Sequence, residues 1–458
     1  MTKLYFDISD IVEFARTHNH VSGIQRVQQR VIASLAEKHG DQIICTYKNP
    51  RDGRFFQVPA PGVFSVDELD SKGLLARLDV SVQGGILTKG DVKQALRKYE
   101  HRKLYRSLKK AELYVSAYVA PGRLGKLGVV SGSRTRIAPL PGITPLSRFL
   151  KEDPLVFLGA NWNDPTLKDM GKIHRTAGGR VVQMIYDLIP HTAPQYFNEG
   201  LVKSFRNFLN CTPEYTSDFI CISEWTRNDL LKFLETQPSF HATVATAPLA
   251  HEFAGFPRNA KNIHSNNLEV KAAIQGAPFV LCVGTIEIRK NGIALLKAWQ
   301  QLIEEGVPNL PQLVFAGKYG WKIDDFRALL NKNSDLSRHV TIISSPSDED
   351  LACLYEHCLF SAYPSHYEGW GLPVGEAAWF GRYCLASNAS SIPEVCGDLI
   401  DYIPPDDISA LAAKVKMLMT HPDYIEQKER AIMASKARTW ADVADHIYSL
   451  CTTPSSAA

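Results

Sequence analysis

The stretch Tyr363-Pro-Ser365-His-Tyr-Glu368-Gly-Trp-Gly371-Leu-Pro-Val-Gly-Glu376-Ala377 joins a short apolar run, Leu359 to Pro364, to a helical pattern from Leu372 to Phe380. Two glutamates stand eight positions apart across this turn. Gly369 and Gly371 allow backbone to approach a ligand closely, because a glycine carries no Cβ. Pro373 suits the first turn of the helix that follows. The start of that helix offers free N–H groups and a positive dipole end, a natural seat for a diphosphate. Glu368 falls in the loop, while Glu376, one turn into the helix, is suited to accept hydrogen bonds from a ribose diol. A surface loop ahead of an amphipathic helix would read the same way, so neighbouring text has to decide.

Upstream lies Val283-Gly284-Thr-Ile-Glu287-Ile-Arg289-Lys290-Asn291. A strand pattern ends at Gly284, and two adjacent cations stand before the next helix. A helix start disfavours cations, so two of them there need a reason. A phosphate clamp supplies one, with a guanidinium fork beside a point charge; a solvated pair is the plainer reading.

Both stretches sit in a chain that alternates strand and helix. Pro278–Thr285, Gln312–Gly317, Val340–Ser344, Leu359–Pro364 and Tyr383–Ser387 read as strands, with Ile293–Glu304, Asp348–His357 and Leu372–Phe380 as helices between them. Two last helices are expected at Ile408–Met419 and Tyr424–Leu450. An earlier block repeats the pattern with Lys3–Ile8, Cys45–Tyr47, Leu155–Trp162, Arg180–Ile189, Asp218–Ser223 and Ala242–Leu249. Strands alternating with helices imply parallel sheets covered on both faces. The expected fold class is α/β, with two Rossmann-like doubly wound domains facing each other across a cleft. The expected domains are 1–255, interrupted by an insertion over about 48–150, then 272–435, with a C-terminal helix over 436–458 returning to the first. The polar text from Phe256 to Lys271 reads as a linker. Residues 97–110 carry seven cations against Glu100, a solvated helix face or a contact for an anionic membrane surface.

The 458 residues are 45% hydrophobic and 22% charged, an ordinary globular balance. Lys+Arg minus Asp+Glu is 51 − 48 = +3, so bulk charge gives no argument for nucleic acid as a partner. Nine cysteines without a CxxC, mostly in apolar text such as Phe279-Val-Leu-Cys282, read as reduced core thiols. No apolar run approaches the ~20 residues that span a bilayer, and the N-terminus lacks the apolar stretch of a signal peptide. A cytoplasmic protein, peripheral at the inner membrane, is expected.

Taken together with Tyr186-Asp187-Leu-Ile-Pro190, Ile222-Ser-Glu-Trp-Thr-Arg227, Gly317-Lys-Tyr-Gly-Trp321 and Ala386-Ser-Asn-Ala-Ser-Ser-Ile-Pro-Glu394-Val, these stretches resemble the retaining glycosyltransferase family 4 (glycosyl transferases group 1, GT-B fold), in its mannosyltransferase-like branch. The resemblance is strong over about 180–400, weaker over 1–40 and essentially absent over 48–150. It implies donor binding by Gly23, Gly284, Arg289, Lys290, Glu368, Gly369, Gly371, Leu372 and Glu376. It implies catalytic parts for Asp187, Glu368, Arg289 and Lys290, with the acceptor site unassigned. Arg289 and Lys290 would neutralise the departing diphosphate, and Glu376 would hold the ribose. The family often shows His-Asp-Leu-Ile-Pro where Tyr186 stands here; His191 is a local replacement or a loop histidine. The implied reaction moves a hexose, mannose from GDP-mannose being favoured, to a saccharide or lipid-linked saccharide acceptor in surface polysaccharide or lipopolysaccharide synthesis. A sugar-nucleotide epimerase and an inactive carbohydrate-binding scaffold are the alternatives. No cofactor and no metal are expected: Asp348-Glu-Asp350 mimics a metal-binding D-x-D, but Ser347 three residues before Asp350 reads as a helix cap.

Overall fold

The computed structural model describes residues 2–16, 23–50, 52–64, 71–80, 137–146, 149–164, 166–237 and 242–453, together with 18, 96, 109, 110, 112 and 240. The basic stretch 97–110 lies outside the described residues except for its last two positions, and the expected membrane contact lies there with it.

Fourteen strands form two sheets among the described residues. The first holds β1 (Leu4–Asp7), β2 (Ile43–Lys48), β3 (Phe55–Pro59), β4 (Thr144–Pro145), β5 (Leu155–Phe157), β6 (Val181–Ile185), β7 (Asp218–Cys221) and β8 (Thr243–Thr246), in the order β4-β3-β2-β1-β5-β6-β7-β8. The pairs β1/β2, β1/β5 and β5/β6 are parallel. β3 and β4 are antiparallel additions at one edge, Ile44 facing Pro59 and Phe56 facing Pro145. Part of the expected insertion over 48–150 therefore extends the sheet. Its strands escaped the sequence reading because Phe55–Pro59 is half-buried and shows no clean alternation.

The second sheet holds β9 (Phe279–Val283), β10 (Gln312–Ala316), β11 (Val340–Ile343), β12 (Phe360–Tyr363), β13 (Cys384–Ser387) and β14 (Asp401–Ile403), in the order β11-β10-β9-β12-β13-β14. Every pair in it is parallel. β9, β12 and β13 are buried at every position, as helices on both faces require. Counted within their own sheet, the strands run third, second, first, fourth, fifth, sixth, the doubly wound order.

The contacts divide the chain into two compact units. One comprises Met1–Met184, Asn207–Phe219 and Ala444–Ala458; the other comprises Ile185–Arg206 and Ile220–Val443. In the first, Tyr5, Ile44, Leu155, Phe157, Leu167, Met170, Val181 and Tyr215 form one apolar cluster. In the second, Trp299, Phe315, Tyr355, Phe360, Phe380 and Tyr383 are among the largest fully buried side chains.

One local expectation gains detail and another is corrected. The linker over 256–271 is tied down: the Asn262 and Ile263 amides donate to Glu356 at 2.7 and 2.8 Å. Ser265 and Asn267 bond Asp350, and Asn267 caps the helix Leu268–Gln275. The asparagines that suggested a linker supply turns, Asn259 and Asn262 holding positive φ. The helix expected over Tyr424–Leu450 is two helices, Pro422–Ala434 and Trp440–Thr452. Ser435 between them is extended, and Arg258 holds the carbonyls of Ile432 and Ser435 at 2.7 and 2.8 Å. Thr439 and Asp442 cap the second helix reciprocally, a start signal masked by continuous helical periodicity.

All nine cysteines are free, eight of them buried. Among the described residues no helix is long and apolar enough to cross a membrane. Ser347 and Asp350 form the expected capping box, each bonding the other's backbone amide.

Candidate active site

The second sheet reverses its winding between β9 and β12, and ligands of such sheets bind beyond the strand ends at that point. β9 leads into Gly284, whose φ of +135° is open at little cost only to glycine. A Cβ on Gly317, after β10, would run into the Gly284 carbonyl, so these loops meet backbone to backbone. The turn Ile288–Lys290 follows, then the helix Gly292–Glu304. Asn291 between them is left-handed, with φ 55°, and its amide donates to the carbonyls of Pro364 and Pro405 at 3.1 and 2.8 Å. This asparagine fastens the cationic turn to the loop after β12. Arg289 and Lys290 are thereby aimed across the switch point.

There they meet Glu368. Arg289 Nη1 lies 2.6 Å from Glu368 Oε2, and Lys290 Nζ lies 2.7 Å from Glu368 Oε1. Arg289 Nη2 pairs with Glu287 at 2.8 Å, and Nη1 also donates to the Tyr367 carbonyl at 2.7 Å. The Lys290 ammonium donates to the Tyr363 hydroxyl at 2.6 Å. Arg289 Nε–H is buried and finds no acceptor among the described residues.

Burial sets the electrostatics of this cluster, and the ion pairs oppose it. Burial would raise the Glu368 carboxyl, but Arg289 and Lys290 overrule it and hold it down to about 2. Arg289 is pushed above its ordinary range by Glu368 and Glu287 despite burial. Burial, aided by Arg289, pulls Lys290 below the usual lysine range against the attraction of Glu368. Burial raises Glu287 and Asp187, with Arg289 opposing it at each. The arrangement is two buried cations kept charged by carboxylates that a stronger anion could replace.

The wall beside Glu368 comes from Tyr186 and Asp187, which follow β6. Asp187 accepts from the Ile189 amide at 2.9 Å, opening the short helix Ile189–Thr192. A Cβ on Gly369 would strike the Tyr186 carbonyl oxygen and approach Asp187 Cβ to 3.0 Å. The glycine at 369 is thus demanded by packing against Tyr186–Asp187.

The loop itself is hung on serines. The Glu368 amide donates to Ser390 Oγ at 2.8 Å. Ser391 Oγ donates to the Glu368 and Trp370 carbonyls at 2.8 and 3.2 Å, and Ser387 Oγ to the Ser365 carbonyl at 2.5 Å. Gly371, φ +117°, leads into the helix Leu372–Trp379 with Pro373 in its first turn.

The structure brings Gly284, Arg289, Lys290, Glu368, Gly369 and Asp187 together. Glu376 has other neighbours: it is buried within the helix and accepts from the Tyr355 hydroxyl at 3.2 Å. Gly23 belongs to the other unit, where it holds φ 54° ahead of the helix Ile24–His39, with nothing near its missing Cβ. The ring of His191, in the helix Ile189–Thr192, packs edge-on against Phe233, centroids 5.6 Å apart. Asp350 of the D-x-D look-alike is spent on Ser347, Ser265 and Asn267. Sequence reasoning gave no role to Glu287, Tyr363, Tyr367, Asn291 or the three serines. The serines were visible as a polar run after a strand, but only the fold shows which backbone they hold.

Residues 265–440 match the family model described as glycosyl transferases group 1. The chain is 28% identical over 262 residues to the O-antigen chain mannosyltransferase B of Escherichia coli, covering 57% of this chain and 67% of that one. It is 30% identical over 216 residues to the serotype-specific mannosyltransferase WbdA of Escherichia coli, where the match spans only 25% of the relative and 44% of this chain. In fold it is similar to Anabaena Alr3699/HepE, solved with UDP and glucose, at a TM-score of 0.57 and 13% identity over 99% of this chain and 100% of that one. Sucrose-phosphate synthase from Thermosynechococcus elongatus gives 0.55 at 16% identity over 98% of both chains.

Proposed function

Because this chain belongs to the glycosyl transferases of group 1 through residues 265–440, we propose that it transfers mannose from GDP-mannose to a growing surface polysaccharide. The observation that carries the donor site is the convergence of Arg289, Lys290 and Glu368 at the winding reversal, with the Arg289 Nε–H buried and unpartnered among the described residues. Buried cations and an orphan donor of this kind suit a diphosphate. The Escherichia coli relatives are named as mannosyltransferases, one of the O-antigen chain, which supports the sugar and the polymer.

On this reading the donor diphosphate takes the place of the Glu368 carboxylate on Arg289 and Lys290. Glu376 holds the ribose, and Glu368 turns to the donor sugar together with the backbone of Gly369 to Leu372. Gly23 lets its loop approach a substrate phosphate. As the sugar–phosphate bond breaks, negative charge grows on the diphosphate, where the two cations stabilise it. The sugar develops oxocarbenium character, and the acceptor attacks from the leaving-group face, so configuration is retained. The departing phosphate oxygen takes the acceptor proton, and Asp187 lies beside the reacting face. Most of the rate then comes from positioning and fixed charge. No metal or cofactor is needed, and the cations of 97–110 hold a lipid-linked acceptor at the cytoplasmic face of the membrane.

The test is turnover with GDP-, UDP- and ADP-sugars on lipid-linked saccharides, with calorimetry of GDP, UDP and ADP. Production of a mannosylated acceptor from GDP-mannose is expected. Equal affinity for the three nucleotides would remove the mannose assignment.

A further inference from the structure

We propose that Tyr367, clasped by Trp225 and Asp229, is a positioning residue that sets Arg289 and Glu368 for catalysis. This rests on the donor-site reading above. The helix Glu224–Leu234 begins with Ser223 as its cap. Its next residues reach outward to the walls of the site. Trp225 Nε1 donates to the Tyr367 hydroxyl at 2.8 Å, and that hydroxyl donates in turn to Asp229. Thr226 donates to the Tyr186 carbonyl at 3.3 Å, the same oxygen that leaves Gly369 no room for a Cβ. Glu394 accepts from the Glu224 and Trp225 amides at 2.7 and 2.8 Å. One helical turn therefore grips both the 186–187 wall and the loop that carries Glu368.

Tyr367 is where this grip meets the chemistry. Its carbonyl accepts from Arg289 Nη1 at 2.7 Å, and the next residue is the glutamate on both cations. The phenol accepts from the indole and donates to the carboxylate, and each bond polarises the hydroxyl in favour of the other. Trp225 is 43% exposed, yet its one polar atom is committed and its ring lies edge-on to Tyr367, interplanar angle 81°. An exposed tryptophan serving only as packing would leave that N–H to solvent. Burial and Asp229 push the Tyr367 hydroxyl up to about 12, so it stays a donor at neutral pH.

Tyr367→Phe keeps the ring and the carbonyl and deletes both hydroxyl bonds. A hydrogen bond to a charged group is worth about tenfold or more, so kcat with GDP-mannose is expected to fall about tenfold, with GDP binding weakened severalfold. Asp229→Ala is expected to give a similar loss, and the double variant no more than Tyr367→Phe alone, because the bond between Tyr367 and Asp229 is already gone in each single variant. Asp229→Asn keeps an acceptor oxygen and is expected to recover most of the loss. Trp225→Phe, which deletes the indole donor, is expected to fall between them. Full kcat and donor KM in Tyr367→Phe, with a lowered melting temperature alone, would overturn the proposal. Additive losses in the double variant would overturn it too. Should Tyr367→Phe fail to fold, the Asp229→Asn and Asp229→Ala pair decides by the same readings. If the wild-type chain turned over no nucleotide sugar, the donor-site reading would fall instead, and GDP calorimetry on the variants would still report on the positioning of Arg289.

Discussion

Replacing Glu368 by glutamine should tighten nucleotide binding while slowing the reaction. In the structure the Glu368 carboxylate occupies the two cations at 2.6 and 2.7 Å, the contacts a diphosphate needs. A carboxyl held at about 2 against its ordinary 4.5 has its ionised form stabilised by about 3 kcal/mol, at about 1.36 kcal/mol for each pH unit. A neutral amide gives up most of that attraction. The incoming diphosphate then has less to displace, and GDP affinity should rise between about tenfold and a hundredfold, the upper bound being the full 3 kcal/mol. Turnover should fall, since the amide no longer serves the donor sugar as the carboxylate does. Calorimetry of GDP against wild type and Glu368→Gln, beside steady-state kinetics, reads both quantities. In wild type near pH 4.5 to 5, GDP binding should also take up a proton, because a carboxylate leaving its cations returns toward its ordinary range. Weaker or unchanged GDP binding by Glu368→Gln would refute the displacement argument.

Arg289→Ala should lose about 2.7–4 kcal/mol of transition-state stabilisation, roughly a hundredfold to a thousandfold in kcat/KM, as for loss of one charge-stabilising donor; unchanged turnover would exclude it from the clamp. Acid should weaken the fold. Glu368 and Asp401 are carboxylates held below their ordinary range, Asp401 by Lys414, Tyr424 and Tyr383 against burial. Their stabilisation is present above the unfolded values near 4 and is lost as pH falls toward about 2, while burial-raised Asp187 and Glu287 act in the opposite sense. Urea midpoints at pH 7, 4 and 3 should therefore drop, and drop less in Asp401→Asn. Gly369→Ala should abolish activity by forcing the loop off the Tyr186 carbonyl, whereas Gly23→Ala, with open space around it, should cost the fold only the strain of its backbone conformation, about 1–3 kcal/mol; equal melting curves for the two would contradict this. Ser347→Ala should cost about 1 kcal/mol of stability as a lost cap and leave kcat intact, and chelators should leave the rate unaltered.

Much of this was legible because parallel strands buried on both faces announce themselves as apolar runs. Phe279–Val283 and Phe360–Tyr363 are read from composition alone, and the glycines and charges after them mark the strand ends where ligands bind. The capping box at Ser347 was legible for a similar reason, since all its parts lie within four residues. What escaped depends on pairings between distant segments. Nothing local tells that Ser390 holds the Glu368 amide, that Arg258 ends a helix near Ser435, or that Phe55–Pro59 finds a place beside β2. Glu368 was expected at the donor sugar; its pairing with both cations was not legible, although burying Arg289 and Lys290 unpaired would be too unfavourable.

The meeting of Gly369 with residue 186 involves main chain on one side and a missing side chain on the other. The ring at 186 takes no part in that contact. Position 186 is therefore at liberty to exchange aromatic for imidazole without unseating its neighbour, whereas 369 has no such latitude. For this junction alone, fixity is asked of 369 and of the main chain at 186, and not of the ring that 186 carries.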